Sequence, residues 1–332
     1  MNMLIEVREL CKTYTTHQRG HTFKEALKSL VFRKTIEVPA VKGISFQVRQ
    51  GEIVGFLGPN GAGKSTTLKI LTGVLHPTAG KVRVMGYVPW KQRKSYVARI
   101  GAVFGQKSQL LWDIPPLDAF YMNKAIYSIP QSEFEETLEE LTELLDVRDV
   151  MRKPTRQLSL GERMKCEFMM AMLHRPQIVF LDEPTIGLDV IAKDKIREFI
   201  LKMNRKGVTF ILTTHDLDDV EHLAERVIVI NHGEVVFDDT IQAMRSHVGG
   251  GKMIRLLTAE SFPELQIPGV TVVRMLSEHE AEIELNMGVL NISEFIATMN
   301  GMCTLLDMSV QELTIDRVIK QLYLTHSPRT DG

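Results

Sequence analysis

An α/β fold is what this sequence predicts: a larger domain with a helical subdomain inside it, joined to a smaller α/β domain. Three observations predict it. Ile53-Val54-Gly55-Phe56-Leu57 and Ile178-Val179-Phe180-Leu181 are unbroken apolar runs of strand length, the pattern of parallel strands covered on both faces. Between them, Leu138, Leu141, Leu144 and Leu145 recur at helical spacing. Near the end, Gly249-Gly250-Gly251 reads as a linker, and Met253–Leu257, Val270–Val273 and Ala281–Leu285 alternate as short strands. The expected boundaries are 1–245 for the larger domain, with an insertion at 15–37 and the helical subdomain at 113–175. A linker at 246–252 and an accessory domain at 253–332 follow.

The strand at Ile53–Leu57 runs into Gly58-Pro59-Asn60-Gly61-Ala62-Gly63-Lys64-Ser65, and a helical stretch begins at Thr66-Thr67-Leu68-Lys69. Every fixed position of the phosphate-loop pattern GxxxxGKS/T is filled, in the strand–loop–helix setting where the pattern has a mechanism. Glycines let the backbone close around a triphosphate, and successive amide N–H groups make an anion nest. The helix N-terminus adds partial positive charge at the same spot. Lys64 is placed to reach the terminal phosphates and Ser65 to complete a Mg²⁺ shell, so ATP and Mg²⁺ are the expected ligands.

The second apolar run ends in two carboxylates, Asp182 and Glu183. A buried parallel strand delivers its C-terminal end to the ligand. Asp182 then suits Mg²⁺, directly or through water, and Glu183 suits general-base activation of the attacking water.

Four further landmarks carry a family resemblance: Gln157-Leu158-Ser159-Leu160-Gly161-Glu162-Arg163 ahead of the acidic strand, Gln106 in Val103-Phe104-Gly105-Gln106, Gly187-Leu188-Asp189 after it, and His215 at the end of Thr209–Thr214. With the two motifs above, and in the order they take along the chain, the six landmarks resemble those of the nucleotide-binding subunits of ATP-binding cassette (ABC) transporters over about residues 3 to 240. The resemblance implies a P-loop NTPase of the ABC ATPase type. It makes Lys64, Glu183 and His215 the catalytic set. It gives ATP to Gly58–Thr66, Tyr14 and Gln106, and Mg²⁺ to Ser65, Gln106 and Asp182. The signature Ser159, Leu160, Gly161 and Glu162 would act in trans, with Asp189 at a dimer interface. A helix is expected from Gly161 to His174, so the signature would form a second anion cap. One phosphate loop and one such cap per chain imply a head-to-tail homodimer with ATP between the copies.

Two departures from the family pattern stand out. The signature carries Leu160 in place of a glycine and Glu162 in place of a glutamine. Tyr14, the adenine-stacking aromatic or else a sheet-edge residue, lies unusually far ahead of Lys64 because of the insertion. That insertion spaces Phe23, Leu27, Leu30 and Val31 as one helical face and carries Arg19, Lys24, Lys28, Arg33 and Lys34. Such a helix suits acidic lipid or a membrane partner, and equally a surface helix on the sheet edge.

Composition excludes several classes. Forty Lys and Arg against 41 Asp and Glu leave no basic excess, so no nucleic-acid partner is expected. Cys11, Cys166 and Cys303 have neither metal nor disulfide spacing. No signal segment is read, and no apolar run nears the roughly 18 to 20 residues that span a bilayer. Any membrane-spanning part is expected on a separate chain.

Gly105–Pro116 and Leu158–Met164 look most like the ATPases of ABC-2-type exporters. That likeness implies an ABC-2-type transmembrane permease as partner, at the cytoplasmic face of the cell membrane, with Trp112 either an anchor for it or a core residue. In the accessory domain a helix at 293–299, a strand at 303–308 and a final helix at 312–322 are expected; dimer support or regulation is what the resemblance implies for it. The reading is an ATPase energising export; a soluble ABC ATPase of assembly, translation or repair is the alternative.

Overall fold

The computed structural model describes residues 3–17, 35–105, 107–214, 216–247, 251–313, 317–319 and 322–323. Contacts divide the chain into two units, Met1–Asp238 and Asp239–Gly332.

In the first unit, β1 (Met3–His17), β2 (Thr35–Arg49) and β4 (Ala79–Val84) form an antiparallel sheet in the order β2-β1-β4. A second sheet holds β3 (Ile53–Leu57), β5 (Ile100–Phe104), β6 (Ile178–Asp182), β7 (Thr209–Thr213), β8 (Arg226–Asn231) and β9 (Glu234–Thr240). Its order is β5-β6-β7-β3-β8-β9, parallel from β5 to β8. Every residue of β3 and β7 is buried, as strands covered on both faces must be. One face is covered by the antiparallel sheet: Ile5, Val7, Phe46 and Val48 share a core with Val54, Phe56, Ile211 and Ile228. Phe46 meets Phe56 edge to face at 5.2 Å, the arrangement ring quadrupoles favour. His232 and Gly233, both with positive φ, turn β8 into β9.

Among the described residues, the α-helices of this unit are α1 (Lys64–Leu71), α2 (Arg93–Val97), α3 (Pro116–Tyr127), α4 (Gln131–Leu145), α5 (Leu160–Met172), α6 (Val190–Arg205) and α7 (Leu217–Leu223). α1 begins at Lys64, earlier than the Thr66 expected, because Gly63 at φ 111° serves as its N-cap. α5 starts one residue before the expected Gly161 and stops at Met172 rather than His174. In α4, Phe134, Thr137, Leu141 and Leu145 form the buried face. Phe168 of α5 packs edge-on against Phe199 of α6 at 5.7 Å.

Trp112 is 58% exposed, so the core setting considered for it does not hold. The insertion is partly strand: β1 runs on to His17 and β2 begins at Thr35, pairing Thr15 with Glu37 and Thr16 with Ile36. The basic helical segment read between Arg19 and Lys34 lies outside the described residues.

In the second unit, α8 (Ile241–His247) precedes β10 (Lys252–Thr258), β11 (Val270–Met275), β12 (Glu280–Leu285), α9 (Ile292–Asn300) and β13 (Leu305–Glu312). The strands form an antiparallel sheet in the order β11-β12-β10-β13. Alternate residues Ile254, Leu256, Ile283 and Leu285 bury against Phe295 and Met299 of α9. β13 starts at Leu305, two residues beyond the expected Cys303, and continues to Glu312, where a helix had been expected to begin. Helical residues there are 317–319 and 322–323 among those described.

Candidate active site

The phosphate loop sits at the carboxyl edge of the parallel sheet, where β3, β6 and β7 all end. The order β6-β7-β3 places Asp182 beside Thr213, and Thr213 beside Phe56. Two residues far apart in sequence therefore reach the loop together. The Asp182 carboxylate accepts a hydrogen bond from the Ser65 hydroxyl at 3.0 Å and one from Thr213 at 2.5 Å, both at Oδ1.

The loop's shape depends on glycine at two points. A Cβ on Gly58 would lie 2.2 Å from the Ile230 carbonyl oxygen, and one on Gly63 would lie 2.5 Å from that of Ala40. Gly63 caps α1 without a side-chain acceptor, so first-turn amides remain for an anion. The Lys64 ammonium donates to the Gly58 and Pro59 carbonyls at 2.6 and 3.1 Å. Its pKa is lowered, chiefly by burial, with Glu183 and Asp182 pulling the other way. The ammonium is thus held by two carbonyls and drawn by two carboxylates, which offsets the cost of burying it. Residues 60–66, Lys69, Phe104, Lys107, Asp182 and Glu183 enclose a cavity of about 310 Å³ here.

Glu183 adopts the left-handed conformation, φ 56°, and its N–H donates to the Thr213 carbonyl at 2.9 Å. The conformation turns the chain sharply off β6, at a cost of order 1 kcal/mol that non-glycine residues bear there. Gly105 permits it, because a Cβ on that residue would stand 2.0 Å from the Glu183 carbonyl oxygen.

Tyr14 lies beside the same loop, its hydroxyl 3.3 Å from Thr66 Oγ1 and the Lys12 ammonium 5.4 Å from its ring centroid. The insertion does not displace it. Tyr14 pairs with Val38, and the β1–β2 pairing runs on beyond it through Thr15, Thr16 and His17.

The signature forms a capping box at the start of α5. Ser159 Oγ accepts from the Glu162 N–H at 3.2 Å, and the Glu162 carboxylate accepts from the Ser159 N–H at 2.8 Å. That backbone donor is the first reason the Glu162 carboxyl sits below the usual carboxylate range. The two departures from the family pattern thus have local structural work: Glu162 closes the cap, and Leu160, 37% exposed, lies over Gly187. Gly161 faces Ala192, where a Cβ would come within 3.0 Å. Asp189 caps α6, accepting from the Ala192 N–H at 2.8 Å. The signature and the Asp189 loop therefore touch within one chain, and none of Ser159, Leu160, Gly161, Glu162 or Asp189 lines the cavity. Gln106 and His215 lie outside the described residues.

Several site residues were missed by sequence reasoning. Thr213 was readable only as a polar end to an apolar strand. Lys69, Phe104 and Lys107 carry no motif. Asp219 is fully buried and gathers the Thr185 hydroxyl and the Arg197 guanidinium, at 2.7 Å from Arg197 Nε. It pins the loop after Glu183 to α6 and α7. Asp219→Ala is expected to cost about 3 kcal/mol by removing the buried partner of that guanidinium, which keeps only the exposed Asp194; a denaturant midpoint unchanged from the parent chain would contradict it.

The sequence profile of the family described as "ABC transporter" matches residues 41–186. Linearmycin resistance ATP-binding protein LnrL of Bacillus subtilis is 29% identical over 306 residues, 90% of this chain and 96% of that protein. ABC transporter ATP-binding protein NatA of the same organism is 32% identical over 207 residues, 62% of this chain and 84% of that protein. A solved dimeric ATP-binding cassette, in a post-hydrolysis state bound to ADP and Pi, superposes with a TM-score of 0.59. It is 24% identical and covers 71% of this chain and 98% of its own, a likeness of fold. The α/β expectation holds, and the chain belongs to the ABC transporter family as an ATP-binding, ATP-hydrolysing subunit.

Proposed function

We propose that this chain is the motor of a membrane exporter. It works as a homodimer at the cytoplasmic face of the membrane, on a separate permease of the ABC-2 type. The observation that carries this is the span of the LnrL likeness: it takes in 90% of the chain, so it extends beyond the cassette into the second unit. A resistance protein of the same layout favours export over the soluble-ATPase alternative. Leu111 and Trp112, and Tyr121, Met122 and Ile126 on α3, are exposed large apolar side chains of the kind a permease's cytoplasmic helix would cover.

In this reading the amides of Gly58–Thr66 and the Lys64 ammonium bind the phosphates of ATP, and Tyr14 stacks on the base. Ser65 and Asp182 offer hard oxygen donors 3.0 Å apart, which fits Mg²⁺. Gln106 is the third ligand assigned by resemblance. Mg²⁺ there would neutralise phosphate charge. Glu183 takes the proton of the attacking water, and His215 orients it. Ser159–Glu162 of a second copy closes over the phosphates, with Asp189 at the seam. The domain boundaries are proposed as 1–245, 246–252 and 253–332, with the helical subdomain at 113–175.

The test is capture of tagged Glu183→Gln chain from gently solubilised cells, followed by mass spectrometry. A stoichiometric multi-span membrane protein is the expected companion. Recovery only from the soluble fraction, with ribosomal, assembly or repair factors, would overturn the exporter proposal and leave the ATPase standing.

A further inference from the structure

Glu167 lies in α5, two turns beyond the signature, and is only 3% exposed. No apolar contact explains a carboxylate there, and an alanine would fill the helix without the burial cost of a charge. Its carboxylate is instead hydrogen-bonded. They accept from the Ser108 hydroxyl, from the Gln109 N–H at 3.0 and 3.1 Å, and from the Leu110 N–H at 3.4 Å. Burial raises its pKa, and these same donors oppose the rise. The three donors are consecutive residues just after Gln106.

The next part of that segment is fastened on the other side of the signature. The Arg156 N–H donates to the Trp112 carbonyl at 3.0 Å, and the Thr155 N–H and hydroxyl donate to that of Ile114 at 3.1 and 2.9 Å. Residues 108–114 are thus tied to the chain both before and after Ser159.

We propose that Glu167 is a positioning residue for ATP hydrolysis: its buried carboxylate gathers Ser108–Leu110 onto α5, so that the segment after Gln106 and the signature keep one spacing. This rests on the hydrolysis reading above. Glu167 is not among the residues that line the cavity, and it acts through the backbone it holds. Because a shift of about 1 Å at reacting groups costs up to two orders of magnitude in rate, loosening this tie should lower turnover far more than affinity. The same tie makes the apolar ridge at Leu111 and Trp112 move with the signature, since Leu110 is the residue before it.

The experiment uses the full chain and Mg-ATP, with Glu167→Ala, Ser108→Ala and the double variant. ATP binding by the unmodified chain reports on the hydrolysis reading itself; the variants report on Glu167. Glu167→Ala should speed amide exchange at Gln109 and Leu110 and lower kcat about tenfold or more, with ATP affinity within about twofold. Ser108→Ala, which leaves the carboxylate and both amides in place, should lower kcat about twofold to threefold. The double variant should be no slower than Glu167→Ala alone, because both changes cut one tie. Effects that multiply, an unchanged kcat, or equal losses in kcat and affinity with a collapsed melting transition would each overturn the proposal. Should Glu167→Ala fail to fold, Glu167→Gln serves in its place. It keeps the volume and one acceptor oxygen, and a kcat equal to the parent's would overturn the proposal there too.

Discussion

Glu183→Gln is expected to cut steady-state ATP hydrolysis by about 100-fold or more, the scale of a lost general base, while ATP binding persists. The substitution keeps side-chain volume and the left-handed backbone at φ 56°, and the N–H bond to Thr213 at 2.9 Å is untouched. What goes is the carboxylate at the cavity wall and its attraction for the Lys64 ammonium. Fewer negative charges face the phosphates, so the ATP-bound pair of chains should last longer than in the parent. Single-turnover hydrolysis and size-exclusion chromatography with ATP read the two effects separately. A hydrolysis rate equal to the parent's would remove Glu183 as the base.

Lys64→Ala should weaken ATP binding by about two orders of magnitude or more, through loss of a charge-assisted contact in a partly desolvated site. Lys64 is buried, its ammonium is held by the Gly58 and Pro59 carbonyls, and the charges of Glu183 and Asp182 attract it. Without it those two carboxylates face the incoming triphosphate unopposed. The folded chain should survive, since removing a buried cation also removes its desolvation cost. Arginine is not expected to rescue binding, because its planar fork does not fit where a compact ammonium donates to two carbonyls. Nucleotide binding by equilibrium dialysis beside a melting curve decides it: full affinity in a folded variant contradicts the phosphate-loop role.

Most of the cassette was legible because its signals are contiguous. The phosphate loop is one unbroken stretch, and the strands at Ile53–Leu57 and Ile178–Asp182 declare themselves by apolar runs of the right length. Ser159 and Glu162 satisfy the cap pattern locally, so a helix start there was readable to within a residue. The antiparallel sheet of β1, β2 and β4 was much less so. Its register shifts and the pairing of Tyr14 with Val38 are set by partners dozens of residues away. The ends of α5 moved by one or two residues, and those of β13 by two and four, because flanking packing and caps, rather than periodicity, decide where an element stops.

The sequence by itself determined the phosphate loop, the acidic strand and the α/β class, since each depends on spacing along a few neighbouring residues. Only the tertiary structure decided that Asp182 takes hydroxyls from both Ser65 and Thr213, that Trp112 stays exposed, and that Glu167 is spent on Ser108–Leu110. Those outcomes turn on strand order and on which polar groups are buried together. Both arise when distant segments pack, and no local pattern encodes them.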